Sequence, residues 1–315
     1  MFRESRLDAI VYRTGGKIPY YISEHASCKA SHSDFRSSLL KLSDLVKSDI
    51  DDGLYSLNNF SQIRSFVTYA DASLDLRDAP VTQPFLCRVD EMIDYRNRTV
   101  FNACCPTNYA NDRASRFEDA VSALSQVVSI RYRGESMNDL LRELPRKPLL
   151  TTFSLSGDSC GERPPEVTAV IEREGNRYVA KSPWLDIKSE GRDTYDALKG
   201  LERAISETHS RPLSKDNLVQ AEPVYGQVDV KLLLKGGFSI RRFLLCVALR
   251  CTGSGRNYFS VYSPQANVSS KSYTIDGAMD NISNAIALEF HEKPQADVES
   301  VLRSRQTLTT ARVYN

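Results

Sequence analysis

Residues 194–205 read TYDALKGLERAI and contain the pattern from which the architecture can be predicted. Its apolar residues recur at the three- and four-residue spacing of an amphipathic helix. They are Leu198, Leu201, Ala204 and Ile205. The same pattern begins at three other points of the chain, which are Leu39, Val121 and Met279. The four patterns are separated by 82, 77 and 81 residues, which indicates an internal repeat.

Residues outside the apolar stripe obey the same intervals. Three sets do so: Ala120, Ala197 and Ala278; Pro106, Pro183 and Pro264; Phe101, Tyr178 and Phe259. Two strand-like runs joined by a turn precede each predicted helix, as in Val167–Ile171 and Arg177–Ala180 around Gly175. A short third strand is expected after the hairpin, and one more after the helix. The predicted unit is therefore β-β-β-α-β.

The spacing predicts an α+β fold of four tandem β-β-β-α-β repeats that form a pseudo-symmetric scaffold. The repeats are placed at 1–78, 79–157, 162–235 and 236–315. Their helices are expected near 34–48, 116–130, 193–207 and 274–290. The segment 156–165, SGDSCGERPP, is rich in turn-forming residues and is predicted to separate two halves. Within each half we expect the two repeats to pair, because an isolated unit would leave its sheet edges open.

Composition limits the partners and the compartment. The chain is 41% hydrophobic and 26% charged with a net charge of +1, so it lacks the basic excess typical of nucleic-acid-binding proteins. No apolar run approaches the ~20 residues that span a bilayer, so we expect no membrane association. The seven cysteines are odd in number and irregularly spaced, which indicates reduced thiols and a cytoplasmic location.

Candidate catalytic and metal-binding residues are isolated in the sequence. Asp186 is the most suggestive acid of the third repeat, but the equivalent positions hold Tyr109 and Asn267. The segment His25–His32 contains two histidines and one cysteine without a fourth ligand nearby, whereas zinc takes four protein ligands or three with a water. In the vicinal pair Cys104-Cys105, strand alternation would point the thiols to opposite faces. We predict no enzymatic activity, no catalytic residue, no metal and no cofactor.

The third repeat resembles the core domain of HicB-family antitoxins. The resemblance lies in the hairpin of 167–180, in Pro183-Trp184-Leu185, in Ser189-Glu190-Gly191 and in the helix that carries Ala197 and Leu198. It implies a partial ribonuclease-H-like fold. It also implies the family's usual role, which is to bind and silence a small ribonuclease toxin.

Another order of elements can be read from residues 137–204. Taken out of phase, helix-β-β-β-helix resembles a double-stranded-RNA-binding domain. Such domains carry a lysine-rich cluster at the start of the second helix, where they bind phosphates. Here the corresponding stretch, 190–194, reads EGRDT and is nearly neutral.

The function we expect is sequestration of a protein partner by a non-enzymatic, antitoxin-like protein. The partner would be a small protein such as a toxin or a defence-related nuclease. Candidate partner-binding residues are Trp184, which adjoins the repeated proline, and Arg131 and Arg133. The alternatives are a nucleic-acid or nucleotide binder that uses grooves between repeats, and a structural subunit of a larger complex. An exposed apolar surface would favour a protein partner, whereas a continuous track of arginine and lysine would favour nucleic acid.

Overall fold

The chain divides into two compact units, Met1–Arg163 and Pro164–Asn315, each of which is considered by itself. The computed structural model describes residues 6–11, 18–22, 25–32, 41–46, 48, 52, 61–94, 96–108, 110–143, 149–154, 166–182, 185, 187–208, 223–252, 254–303 and 306–312. The unit boundary lies in the segment 156–165, where the sequence predicts a division. No helix in these ranges is long and apolar enough to cross a membrane.

The first unit contains eight strands and three helical segments within the described ranges. The strands are β1 (Arg6–Val11), β2 (Ile18–Ile22), β3 (His25–His32), β4 (Ser61–Asp75), β5 (Pro80–Ile93), β6 (Thr99–Cys105), β7 (Ala110–Ala114) and β8 (Leu149–Ser154). The helices are α1 (residues 41–46), α2 (Phe117–Arg131) and α3 (Met137–Glu143). Antiparallel strands lie in the orders β8-β1-β2-β3 and β4-β5-β6-β7.

The second unit has a similar succession of elements. Its strands are β9 (Glu166–Glu174), β10 (Arg177–Ser182), β11 (Ile187–Gly191), β12 (Val224–Leu234), β13 (Gly237–Cys251), β14 (Asn257–Ser263), β15 (Val268–Ser272) and β16 (Gln306–Arg312). Its helices are α4 (Thr194–Thr208), α5 (Ile275–Glu289) and α6 (Gln295–Arg303). The strand orders are β11-β10-β9-β16 and β12-β13-β14-β15, again antiparallel. The predicted combination of helices and strands in an α+β fold is confirmed, and the structure shows that the sheets are antiparallel.

The last strand of each predicted repeat pairs with a strand of the neighbouring repeat in its unit. In the first unit β4 pairs with β5, and β8 returns to pair with β1. In the second unit β12 pairs with β13, and β16 returns to β9. The predicted boundaries at 78–79 and 235–236 thus lie in the connections of β4–β5 and β12–β13. These connections join paired strands, so they are not linkers between separately packed domains. Neighbouring strand sets complete each other within one chain, which covers edges that would otherwise be open.

Three helices of 15 residues, α2, α4 and α5, pack on the sheets. Their bounds lie within one residue of the predicted ones, and α1 lies inside the predicted 34–48. Ala120, Ala197 and Ala278 each occupy the fourth position of their helix and are fully buried. A methyl side chain there lets the helix approach its sheet closely. The short helices α3 and α6 are absent from the prediction, which treats those residues as connections.

The ends of α2 and α5 are built from the same contacts, between residues 158 positions apart. Tyr132 stacks on Phe85 with 5.6 Å between ring centroids, and Phe290 stacks on Phe243 at 5.5 Å. The backbone N–H of Gly134 donates to the carbonyl of Asp75, as the N–H of Glu292 donates to that of Leu233. Each contact ties a helix end to the β4–β5 or the β12–β13 hairpin. The β4–β5 and β12–β13 hairpins are therefore equivalent elements of the two units.

Candidate partner-binding surface

Four cysteines whose side chains are described lie in the core or at its border. Cys87, Cys104, Cys105 and Cys246 are free thiols. Burial raises the pKa of Cys87 well above its usual value and that of Cys246 to about 12. Because the thiolate is the reactive form, these two buried thiols are poorly suited to nucleophilic chemistry. Cys105 is fully buried while Cys104 is partly exposed, which agrees with the expected alternation along a strand.

Strand β5 carries buried charges that the sequence analysis missed. Asp90 accepts hydrogen bonds from Ser65 Oγ at 2.7 Å and from Arg88 Nε at 2.9 Å. Glu91 Oε2 lies 3.9 Å from Arg64 Nε. All of these charged side chains are almost completely buried, so each acid has an arginine that offsets the cost of removing it from water. The charged residues Arg88, Asp90 and Glu91 are visible in the sequence, but they do not reveal that both faces of the strand are covered.

These acids do not form a catalytic or metal centre by themselves. Asp90 and Glu91 are consecutive in a strand, so their carboxylates point to opposite faces of the sheet. Within the described ranges, no group of three His, Cys, Asp or Glu side chains could hold a metal ion. The geometry of β5 therefore supports a structural role for its ion pairs.

The candidate arginines of the sequence lie at the end of α2. Arg131 is the last residue of the helix and Arg133 lies in the following turn. Both are exposed and neither forms an ion pair with another described residue, while Tyr132 between them is buried against Phe85. Ile130 beside them is 64% exposed. Trp184, the third candidate, lies outside the described residues, as does Asp186, and the structure does not describe the ligand atoms of His25 and His32.

The second unit exposes large apolar side chains on the β12–β13 hairpin. Leu233 is directly opposite Phe238 in the strand register, and Ile240 follows two residues later on the same face. These side chains are 37%, 68% and 66% exposed, respectively. On the other face of β12, Leu232 and Leu234 are buried. We call Leu233, Phe238 and Ile240 the apolar hairpin face.

Charged groups surround the apolar hairpin face. Lys231 is opposite Ile240, and its Nζ lies 4.4 Å from the ring centroid of Phe238. Arg242, on the same face, pairs through Nε with Asp229 Oδ1 at 2.8 Å, whereas Arg241 lies on the opposite face and pairs with Glu299 at 3.6 Å. Neither Lys231 nor Lys235 pairs with a carboxylate of the described residues. The surface therefore has an apolar centre and a rim with uncompensated positive charge.

The corresponding hairpin of the first unit shows that the fold does not require this apolar surface. The residues 158 positions earlier are Ser73, Asp75, Pro80 and Thr82, in the places of Lys231, Leu233, Phe238 and Ile240. They have the same cross-strand pairing, Ser73 with Thr82 and Asp75 with Pro80, and they are exposed. Since one hairpin is stable with a polar outer face, the apolar outer face of the other needs a different explanation, and binding is the usual one.

Comparisons with known proteins do not identify the chain. No family model, curated protein or solved structure matched it. What the chain binds must therefore be inferred from its own residues and from the surface that they form.

Proposed function

We propose that this protein is a non-enzymatic binding protein that sequesters a protein partner through the apolar hairpin face. The observation that carries the proposal is the exposure of Leu233, Phe238 and Ile240 on a regular strand pair whose counterpart is polar. Burial of each such side chain stabilises a complex by about 1.5–3 kcal/mol before the costs of association are subtracted. Nucleic-acid phosphates would gain little from such a surface, which favours a protein partner.

The same proposal takes the chain as four diverged copies of a β-β-β-α-β unit related to the HicB antitoxin core. Support comes from the recurrence of this element order and from the shared place of Ala120, Ala197 and Ala278. In such a chain the partner would be a small toxin-like or defence-related nuclease, which the complex holds inactive. Arg131 and Arg133, at the end of α2 in the first unit, are candidate partner-binding residues in their own right.

The test is affinity capture from cells of the source organism with the tagged full-length chain. We expect the wild type to retain a specific protein that the double variant Phe238→Ser/Ile240→Thr does not retain. Leu141→Ser is the matched control, because it removes an exposed apolar side chain from α3 of the other unit, away from the candidate partner-binding residues. Capture is repeated after nuclease digestion of the lysate, so that a partner bridged by nucleic acid is recognised.

The captured protein is then purified and mixed with the chain. A complex of fixed stoichiometry in size-exclusion chromatography, lost with the hairpin double variant, is the expected result. If the captured protein is a nuclease, its activity should fall in proportion to the chain added. Equal capture by wild type and hairpin variant, or capture that depends on nucleic acid, would refute sequestration through this face.

A further inference from the structure

We infer that the segment held by the apolar hairpin face is acidic as well as apolar. The inference presupposes the protein-binding function proposed above and adds the chemistry of the partner. It follows from which charges at this hairpin are already compensated within the chain and which are not.

The arginines of the hairpin are compensated by acids of the same unit. Arg242 is held by two contacts to Asp229, at 2.8 and 3.4 Å, and Arg241 is 3.6 Å from Glu299. A partner would therefore gain little by offering carboxylates to these two guanidinium groups. Asp229 and Glu299 are likewise engaged, so they offer little to a basic partner.

The lysines of the hairpin remain available. Lys231 is exposed and sits over the ring of Phe238, so its ammonium group is positioned at the centre of the surface that a partner would cover. Lys235 is exposed in the turn between β12 and β13. Covering Lys231 with an apolar partner would remove its charge from water without compensation, which is unfavourable. A carboxylate in the partner would compensate it in a medium of reduced dielectric constant, where ion pairs are stronger than in water.

The other hairpin again serves as a comparison. The position of Lys231 is held there by Ser73, and the position of Leu233 by Asp75. Arg77 holds the position of Lys235, so the turn is cationic in both hairpins, whereas a lysine beside exposed apolar residues is found only on the β12–β13 hairpin of the two. An amphipathic segment with carboxylates beside its apolar residues matches both features at once.

The experiment uses two fluorescein-labelled amphipathic peptides with identical apolar residues, whose polar face is glutamate in one and lysine in the other. Each is titrated with the full-length chain, and binding is followed by fluorescence anisotropy at low and at high salt. We expect the glutamate peptide to bind at least about tenfold more tightly, with an advantage that shrinks as salt screens the charges. The variant Lys231→Glu/Lys235→Glu should reverse the preference. Ser73→Glu, at the matching place of the other hairpin, should leave the preference unchanged.

The outcomes separate this inference from the function on which it rests. Phe238→Ser/Ile240→Thr should weaken both peptides, and thermal melting should show that the variant is folded. Equal binding of the two peptides that is lost in this variant would overturn the acidic preference while leaving an apolar protein-binding face in place. Binding of neither peptide would also overturn the inference, and partner capture by the wild-type chain would then decide the proposed function by itself.

Discussion

Gly191 shows how a single residue determines the distance between a helix and its sheet. It ends β11, and a Cβ atom placed on it would lie 2.1 Å from the backbone nitrogen of Ala197 in α4. The corresponding residues before α2 and α5 are Ala114 and Ser272, which do carry a Cβ. Helix α4 therefore approaches its strand in a way that only glycine allows, although the three helices are equal in length.

We predict that Gly191→Ala destabilises the protein by about 1–3 kcal/mol, because backbone atoms must move to admit the methyl group. The free energy of unfolding is measured by urea denaturation of the full-length chain. Gly236→Ala is the control, since a Cβ atom added at that position would meet no atom within 4 Å and its φ is not in the left-handed region. Equal stability of Gly191→Ala and wild type would show that α4 is free to shift.

At the scale of elements, the turns after α2 and α5 differ in one residue that matters for the backbone. Gly134 has φ of 76° and Glu292, at the matching place, has φ of 55°. Both use their N–H to bind the neighbouring hairpin, so this conformation is required in each turn. Left-handed backbone is unfavourable for residues with a Cβ, and Glu292 therefore carries strain that Gly134 does not.

The expected result of Glu292→Gly is a gain in stability of up to about 1 kcal/mol, reduced by the greater freedom of glycine in the unfolded chain. The reciprocal change, Gly134→Ala, should destabilise by a similar amount. No atom lies within 4 Å of a Cβ at Gly134, so this loss would reflect the backbone alone. Thermal melting of both variants checks the pair, and a loss of stability in Glu292→Gly would indicate that the glutamate side chain makes a compensating contact.

At the scale of the molecule, the exchange of strands means that each predicted repeat depends on its neighbour for a complete sheet. Residues 164–235 contain β12, which pairs with β13, while residues 236–315 contain β16, which pairs with β9. Each fragment alone would lack the strand that completes its sheet and would expose an apolar edge. Residues 235 and 236 lie in the tight turn between β12 and β13, so a cut between them removes no residue of the core.

We predict that fragments 164–235 and 236–315 are each poorly folded or aggregated alone and form a stable one-to-one complex when refolded together. Circular dichroism and size-exclusion chromatography should show the mixture approaching fragment 164–315, which serves as the reference. Cooperative melting of either fragment alone, at the temperature of the reference, would mean that the exchanged strands contribute little to stability.

The positions of the helices and the recurrence of the β-β-β-α-β order can be predicted from the sequence, because both depend on local patterns. The stripes that begin at Val121, Leu198 and Met279 place α2, α4 and α5 to within a residue. The place of Ala120, Ala197 and Ala278 follows from the intervals of 77 and 81 residues that they share with the helix patterns. The strands β9 and β10 were also predicted, although both extend beyond the predicted runs Val167–Ile171 and Arg177–Ala180, because charged and polar residues continue the pairing beyond the apolar segment.

The pairing of the strands and the covering of their faces depend on contacts between distant residues, so they became known from the three-dimensional fold. Hydrogen bonding between β1 and β8 joins residues far apart in sequence, and no local pattern distinguishes this partner from β4. The burial of Asp90 and Glu91, like the exposure of Phe238 and Ile240, contradicts what their residue types alone would suggest. Residue type determines how strongly a side chain favours contact with water, but the elements packed against a strand determine whether water reaches that side chain. For that reason the apolar hairpin face could be found only after the fold had shown that no described residue of its own unit covers it.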